Sequence, residues 1–233
     1  MSSFSAGGLA VVIGATGGIG SALVCALEKT ECFRTVVGMS RRGQPAIDIE
    51  DERSIRTAAR HLTELGEIRL VVDVTGFLHG SGIEPEKSWR GLDAEHMAKS
   101  FAVNAIGPAL LMKHLLPLMP RTGKSVFATL SAKVGSIADN RLGGWYSYRA
   151  SKAALNQLVR TAAVELKRSH PEAICFAIHP GTVATSFSAP FTKAGLAVQS
   201  PDQAAVVIMA CLDKLRASDS GGFFDRSGAP LPW

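Results

Sequence analysis

Residues 9–20 read LAVVIGATGGIG, and this stretch decides the fold. Leu9 to Ile13 is a continuous apolar run, which is typical of a strand buried on both faces of a parallel sheet. Glycines follow at once, and an apolar helical periodicity then continues to about Lys29. At such a strand-to-helix turn, outward-pointing backbone N–H groups and the helix dipole favour an anion. The stretch therefore predicts a phosphate-binding turn.

The glycines of this turn fit two nucleotide-binding spacings. Gly14, Gly18 and Gly20 fit G-x-x-x-G-x-G. Gly14, Gly17 and Gly20 fit G-x-x-G-x-x-G. Both spacings let the chain turn sharply and let a ligand approach the backbone. The alternative interpretation is a tight turn with a purely structural role.

Strand-like and helix-like segments alternate along the rest of the chain. Further strands are predicted at 34–39, 46–49, 68–74, 125–130, 173–178 and 222–224. Further helices are predicted at 51–65, 94–119, 146–168 and 201–215. The alternation predicts an α/β fold, a single Rossmann-type doubly wound parallel sheet of about seven strands with helices on both faces. The length of 233 residues suits one domain spanning 1–233.

Charge and composition favour a soluble protein that binds small molecules. The net charge is +5 and the basic residues are dispersed, so no nucleic-acid surface is predicted. The apolar run at 106–118 is broken by Lys113 and His114, and we expect it to be too short and too polar to span a membrane. The first eight residues lack the basic region of a signal peptide, which favours a cytoplasmic location.

The cysteines and histidines predict neither disulfides nor a metal site. The chain has four cysteines and six histidines. No C-x-x-C or H-E-x-x-H pattern is present, so no metal is expected. The cysteines lie in apolar helix or strand patterns, which predicts reduced core residues in a reducing compartment.

The predicted second strand ends in Ser40-Arg41-Arg42-Gly43. In dinucleotide-binding folds an acidic residue at this position binds the ribose 2′-hydroxyl, whereas an arginine accommodates a 2′-phosphate. Here the strand end offers a hydroxyl and two guanidinium groups, which suit phosphate. We therefore expect NADP(H) to be preferred over NAD(H), with Ser40 and Arg41 at the phosphate. The alternative is a solvated turn.

Tyr148 and Lys152 are four residues apart, which places them on one face of the predicted helix at 146–168. An ammonium beside a phenol lowers the pKa of that phenol, so Tyr148 is a candidate acid/base group. An exposed tyrosine and a solvated lysine have the same spacing. The pair therefore needs support from other parts of the chain.

Two other segments carry candidate features. Pro108 has no N–H for the carbonyl of Asn104, so the helix at 94–119 should be kinked and that carbonyl able to hold a water. The alternative is a bend without a chemical role. Residues 187–199 form an irregular apolar segment that suits either a lid over a pocket or a surface loop packed into the core.

Along essentially its whole length the chain resembles the short-chain dehydrogenase/reductase family. The resemblance rests on the glycine turn, on Asn104 in VNAIGP, on Y-x-x-x-K at Tyr148 and Lys152, and on PGTVAT at 180–185. These four motifs occur in the order of the family. GGWYSY at 143–148 and the closing Pro232-Trp233 are similar to the C-factor and sniffer-type carbonyl reductase branch.

The resemblance implies hydride transfer between a nicotinamide cofactor and a small-molecule carbonyl or alcohol. It implies Tyr148 as acid/base, Lys152 as the group that lowers its pKa and binds the nicotinamide ribose, Ser131 as donor to the substrate oxygen, and Asn104 as holder of a relay water. The implied cofactor contacts are Gly14, Thr16, Gly17, Gly18, Ile19, Gly20, Ser40, Arg41, Asp48, Ile49, Thr75, Gly76, Tyr148, Lys152, Pro180, Gly181, Thr182, Val183 and Thr185. Family members often form homodimers or homotetramers through the two long helices, although some are monomers.

The chain departs from the family at two places. Asp73-Val74-Thr75-Gly76 stands where N-N-A-G is usual, which puts polar support of the central sheet in doubt. Ser131 lies one residue further from Gly135 than the family serine, and Ser136 is its rival. These departures favour an alternative, a non-catalytic dinucleotide-binding signalling or regulatory protein. A nucleotide-sugar epimerase would share the glycine spacing, but the C-terminal part is too short for its substrate domain.

Overall fold

A parallel six-stranded sheet organises the computed structural model, which describes residues 1–44, 46–80, 82–191 and 197–233. The strands are β1 (Leu9–Ile13), β2 (Thr35–Met39), β3 (Ile68–Asp73), β4 (Ser125–Leu130), β5 (Ala173–His179) and, after a short pair described below, β8 (Phe223–Asp225). Their order is β2-β1-β3-β4-β5-β8. All six strands run in the same direction, but the order in which they follow one another reverses between β1 and β3. This switch point is where ligands bind in open α/β sheets.

Six α-helices accompany the sheet in the described part of the chain. They are α1 (Gly18–Glu28), α2 (Glu52–Leu65), α3 (Ala94–Phe101), α4 (Gly107–Leu115), α5 (Tyr146–Ser169) and α6 (Pro201–Lys214). A separate two-stranded sheet pairs β6 (Thr182–Val183) with β7 (Val198–Gln199). The doubly wound α/β fold predicted from the sequence is thus confirmed.

The predicted count of about seven strands was slightly too high, because residues 46–49 are not a strand. Ala46 makes only an isolated parallel bridge to Ser40. The next backbone groups serve the turn into α2: the N–H of Asp48 donates to Ser54 Oγ, and the carbonyl of Asp48 accepts from the N–H of Asp51. Since these groups are used in the turn, they are not available to extend the sheet.

Alternate residues of each strand enter two separate cores. Leu9, Val11 and Ile13 pack with α2, α4 and α5 on one face. Ala10 and Val12 pack with α1 and α6 on the other. All five side chains are fully buried, and burying a large aliphatic side chain is worth ~1.5–3 kcal/mol. The continuous apolar run is therefore explained by burial on both faces.

The predicted kink in the long helix is a π-helical turn. Residues Ala102–Ile106 form that turn between α3 and α4, and Asn104 lies inside it. The whole helical stretch Ala94–Leu118 is long and apolar enough by composition to cross a membrane, contrary to the expectation from its 106–118 part. Half of its apolar 18-residue segment is buried inside the domain, where α3 and α4 pack against α5. That burial is typical of a core helix.

All four cysteines belong to the described residues and are free thiols, but two of them are not core residues as predicted. Cys175 and Cys211 are buried, and burial raises the pKa of their thiols to about 12 and about 11. Cys32 is half-buried, which also raises its pKa, whereas Cys25 is exposed on α1. Apolar periodicity could not distinguish the two faces of this short helix.

Candidate active site

The glycine turn after β1 is tightly folded and can accept only glycine at two of its positions. Gly14 has a φ of +90°, in the left-handed region. A Cβ on Gly20 would lie 2.2 Å from the Gly14 carbonyl oxygen, so any side chain there would push α1 off the turn. Gly17, the N-cap residue of α1, has no side chain with which to cap the helix. The first N–H groups of α1 can therefore face an anion.

A cavity of about 880 Å³ lies at the carboxyl ends of the strands and contains most of the predicted site. Of the predicted residues, Gly20 and Asn104 are not among the described residues lining it. The lining includes Gly14, Thr16, Gly17, Gly18, Ile19, Ser40, Arg41, Asp48, Ile49, Thr75, Gly76, Ser131, Tyr148, Lys152, Pro180, Gly181, Thr182, Val183 and Thr185. A glycine cradle that a Cβ would fill, beside an arginine, fits a phosphorylated dinucleotide.

Asn104 is placed one layer behind the cavity wall. Its side chain is fully buried; Oδ1 accepts from the backbone N–H of Phe77 at 2.8 Å, and Nδ2 donates to the Phe77 carbonyl at 2.8 Å. Nδ2 also donates to Ser151 Oγ on α5 at 3.1 Å. The side chain thus joins the π-turn to Phe77 and α5. In this structure the Asn104 side chain therefore has a structural role.

Tyr148 and Lys152 face the cavity from the first turns of α5, as their spacing predicted. Both are almost fully buried. Lys152 Nζ donates to the carbonyl of Leu130 at 2.8 Å, and it lies 5.9 Å from the centre of the Tyr148 ring. The lysine is therefore anchored to the end of β4 while its charge remains beside the phenol.

The expected lowering of the Tyr148 pKa is not found in this structure. Burial raises the pKa of Tyr148 well above its ordinary value, because the charged phenolate would lose its hydration. Burial also lowers the pKa of Lys152 to about 8, and the carboxyl of Asp73 opposes that shift. At neutral pH the phenol is thus protonated, the form that a proton donor requires.

Asp73, which replaces a family asparagine, supplies polar support to the sheet by different bonds. Its carboxyl accepts from the N–H and hydroxyl of Thr75 at 3.0 and 2.6 Å and from the hydroxyl of Thr129 at 2.8 Å. These contacts join the ends of β3 and β4. Complete burial raises the pKa of Asp73, although the hydrogen bonds oppose that shift. The doubt about central support is thereby resolved.

The two rival serines occupy different environments. Ser131 lines the cavity, and its Oγ donates to Asn156 Oδ1 at 2.7 Å. Ser136 is not among the described lining residues; its Oγ donates to the Trp233 carbonyl and accepts from the N–H of Asp139. Ser131 is therefore the serine placed on the same side as Tyr148.

Aromatic rings pack around Tyr148 at the cavity. The ring centres of Trp145 and Phe187 each lie 6.2 Å from the Tyr148 ring, and Phe191 lies 5.1 Å from Trp145. His79 Nε2 is 3.1 Å from the carbonyl of Phe187. These contacts support the lid interpretation for the beginning of the predicted 187–199 segment. Its residues 192–196 lie outside the described residues.

Sequence reasoning missed many lining residues, among them Val74, Lys133, Trp145 and His179. His179 ends β5, and its Nδ1 is buried without a partner among the described residues. Burial, its largest cause, lowers the pKa of His179 to about 4, so the ring is neutral at neutral pH. The sequence feature that could have indicated His179 is its position at the end of a predicted strand, directly before Pro180. No group of three or more His, Cys, Asp or Glu suited to a metal is found within the described residues.

Comparison with known proteins decides the family. The family model described as Enoyl-(Acyl carrier protein) reductase matches residues 14–208, which include the glycine turn, Tyr148 and Lys152. This chain is a member of the short-chain dehydrogenase/reductase family. As such it is an NAD(P)-dependent oxidoreductase.

Individual relatives within the family differ in what their names describe. C-signal of Myxococcus xanthus is 34% identical over 143 residues, 61% of this chain and 81% of that protein. The 1-hydroxy-2-glutathionyl-2-methyl-3-butene dehydrogenase of Rhodococcus sp. (strain AD45) is 29% identical over 190 residues, 82% of this chain and 80% of that protein. The NADPH-bound carbonyl reductase from chicken fatty liver superposes with a TM-score of 0.84 at 24% identity, covering 98% of this chain and 95% of that one. This last likeness is one of fold.

Proposed function

We propose that the protein transfers a hydride from NADPH to the carbonyl carbon of an aldehyde, ketone or quinone, or catalyses the reverse alcohol oxidation. The observation that carries the proposal is the convergence of Ser131, Tyr148 and Lys152 on the same cavity as the glycine turn. The cofactor, when bound, supplies the hydride. The protein residues supply position, a proton and electrostatic stabilisation.

In this proposal Tyr148, Ser131 and Lys152 have separate roles in the reaction at the substrate oxygen. The protonated phenol of Tyr148 donates its proton to the oxygen as negative charge develops there. The hydroxyl of Ser131 turns its single proton from Asn156 to the same oxygen and fixes the position of that oxygen. The ammonium of Lys152 stabilises the phenolate that remains. Aromatic side chains over Tyr148 exclude water from the reacting groups.

Further residues proposed to hold the cofactor line the same cavity. The turn at 14–20 holds the pyrophosphate, and Ser40 and Arg41 hold the 2′-phosphate. Asp48, Ile49, Thr75 and Gly76 also border the cavity, and the 180–185 segment is proposed to contact the nicotinamide end. We also propose a cytoplasmic location and a homodimer or homotetramer through α3–α4 and α5, where Ile106 and Val164 are exposed.

Arg41→Ala is expected to weaken NADPH binding roughly ten- to a hundredfold and to leave NADH binding nearly unchanged. A charge-assisted bond to phosphate is worth ~1.5–3 kcal/mol, and only NADPH carries the 2′-phosphate. Titration of both cofactors into wild type and variant measures the effect. Arg42→Ala is the matched control, because Arg42 is exposed and is not among the described lining residues. Equal affinity of the wild type for both cofactors would contradict the proposed preference.

The kcat/KM for NADPH is expected to fall as the pH rises through about 8. This parameter reports ionisations of the free enzyme, in which burial lowers the pKa of Lys152 to about 8. The ammonium is present below that pH and is lost above it, together with its stabilisation of the phenolate. Lys152→Arg keeps its charge and should remove the fall, whatever its absolute rate. A wild-type profile that stays flat to pH ~10, the ordinary lysine pKa, would contradict this role of Lys152.

A second candidate is the non-catalytic signalling or regulatory protein. The similarity to C-signal and the departure at Asp73-Val74 favour it. A pure binder has no need for a protonated phenol in the cavity, which favours the enzyme. The assay that separates the two is NADPH oxidation with a panel of aldehydes, ketones and quinones. Tight NADPH binding without turnover of any of them would support the second candidate.

A further inference from the structure

Glu86 is a buried carboxylate that none of the proposed catalytic roles uses. It lies in the loop before α3, and its side chain is 1% exposed. Both carboxylate oxygens are 3.2 Å from the backbone nitrogen of Ser147, which donates to them. The hydroxyl of Ser147 also donates to Glu86 Oε1. The carboxylate therefore binds the first turn of α5, one residue before Tyr148.

The backbone before α5 is in an unfavourable conformation and has no capping side chain of its own. Gly143, Gly144 and Trp145 all have φ between +53° and +66°, so three successive residues are left-handed. Trp145 is not glycine, and this conformation persists only where neighbouring groups hold it. As the N-cap of α5, Trp145 makes no side-chain capping bond to any described residue. The cap is instead supplied from a distant part of the chain.

Glu86 holds this turn at two points. Its backbone carbonyl accepts from the N–H of Trp145 at 2.5 Å, while its side chain accepts from Ser147. A negative charge at a helix N-terminus is stabilised by the helix dipole and by the unpaired N–H groups there. Ser147 is fully buried, so water cannot replace the carboxylate. Glu86 thus fixes both the strained turn and the start of the helix.

The same carboxylate also contacts the helix that leads to Asn104. His96 Nδ1 on α3 lies 3.4 Å from Glu86 Oε1, and His96 is buried as well. The His96 ring packs edge-on against Phe77 at 6.3 Å between centres, and Phe77 is bonded to the Asn104 side chain. One buried carboxylate therefore lies where the start of α5 meets α3.

We propose that Glu86 is a positioning residue, which holds the first turn of α5 so that the Tyr148 hydroxyl is directed at the substrate oxygen. The inference rests on the proposed function, because it assigns Tyr148 its reaction. A misplacement of ~1 Å in a reacting group can lower a rate by ~10²-fold. Loss of the cap should therefore appear in turnover, whereas the cofactor contacts at the glycine turn and at Ser40 and Arg41, which lie on other elements, should be unchanged.

The test replaces Glu86 by glutamine, with Glu84→Gln as the matched control. Glu84 is an exposed acid two residues earlier in the same loop. Glu86→Gln should lower kcat by ~10-fold or more, within the range set by small misplacements, and leave the NADPH affinity unchanged. Ser147→Ala keeps the hydrogen bonds from the backbone N–H of residue 147 to the Glu86 carboxylate, so it should give a smaller loss of kcat. Unchanged kcat in Glu86→Gln would overturn the inference, as would an equally large loss in the control.

A double-mutant cycle separates positioning from general stability. In the Tyr148→Phe background no phenolic proton remains to be positioned, so adding Glu86→Gln should have little further effect on the residual kcat. An equal loss in both backgrounds would overturn the inference. If Glu86→Gln does not fold, the same cycle with Ser147→Ala decides the question.

Amide hydrogen exchange tests the capping role of Glu86 without a catalytic assay. The amides of the first turn of α5 should exchange faster in Glu86→Gln than in wild type, and those of α1 should not change. Unchanged exchange at α5 would overturn the capping role even if kcat fell. If wild type reduces no carbonyl, the proposed function fails, and faster exchange at α5 would still support Glu86 as the cap.

Discussion

Tyr148→Phe is expected to lower turnover by ~10²-fold or more, the usual scale for loss of general acid–base catalysis, with NADPH affinity little changed. The phenyl ring keeps the contacts with Trp145 and Phe187 but has no proton to donate. Because burial raises the pKa of Tyr148, the wild-type phenol is protonated at neutral pH and serves the reducing direction. The measurement is steady-state NADPH oxidation beside a binding titration.

Tyr146→Phe is the matched control for this prediction. Tyr146 is the only other tyrosine of the chain; it opens α5 and is not among the described residues that line the cavity. Its loss should leave turnover near the wild-type value. A Tyr148→Phe enzyme that keeps its turnover would remove the acid/base assignment, and with it the main support for the proposed reaction.

Ser131→Ala is expected to lower kcat by ~10²-fold or more, because one hydrogen-bond donor to the developing oxyanion is lost. Two bonds position the residue: the N–H of Ser131 donates to the Ile178 carbonyl at 2.8 Å, and its hydroxyl donates to Asn156. In the proposed role the single hydroxyl proton turns from Asn156 to the substrate oxygen. The serine is thus fixed at the end of a central strand before substrate arrives.

Ser136→Ala is the matched control for this prediction. Ser136 Oγ contacts Trp233 and Asp139, so its removal should affect stability slightly and turnover little. If Ser136→Ala loses its activity while Ser131→Ala keeps it, the assignment of the serine is wrong. If both variants remain active, Tyr148 or a group not assigned here polarises the oxygen.

The features that sequence predicted well depend on local chemistry. The apolar run at 9–13 predicts a buried strand, and the glycines that follow leave little alternative to a sharp turn. The spacing of Tyr148 and Lys152 predicts a common helix face because helical periodicity is a local property. Pro108 predicted the interruption at Asn104 for the same reason, although not its π-helical form.

The features that sequence could not predict depend on distant contacts. Residues 46–49 have strand-like composition, but Ser54 and Asp51 form hydrogen bonds with the backbone of Asp48. The phenol of Tyr148 next to a lysine predicts a lowered pKa, whereas its burial below aromatic rings raises it. Glu86 and Ser147 are 61 residues apart, and only the folded chain brings them together. Asp73 departs from the family motif, and its partners at Thr75 and Thr129 become visible only when β3 and β4 pair.

The uneven environments of the four thiols have a practical consequence for measuring cofactor binding. A raised pKa and burial make Cys175 and Cys211 poor nucleophiles, and Cys32 is disfavoured in the same way. Cys25 is exposed on α1, the helix whose first turn belongs to the glycine cradle. A maleimide fluorophore can thus be attached at one position of the unaltered sequence. Its emission can be tested as a reporter of cofactor binding in variants of low turnover such as Tyr148→Phe.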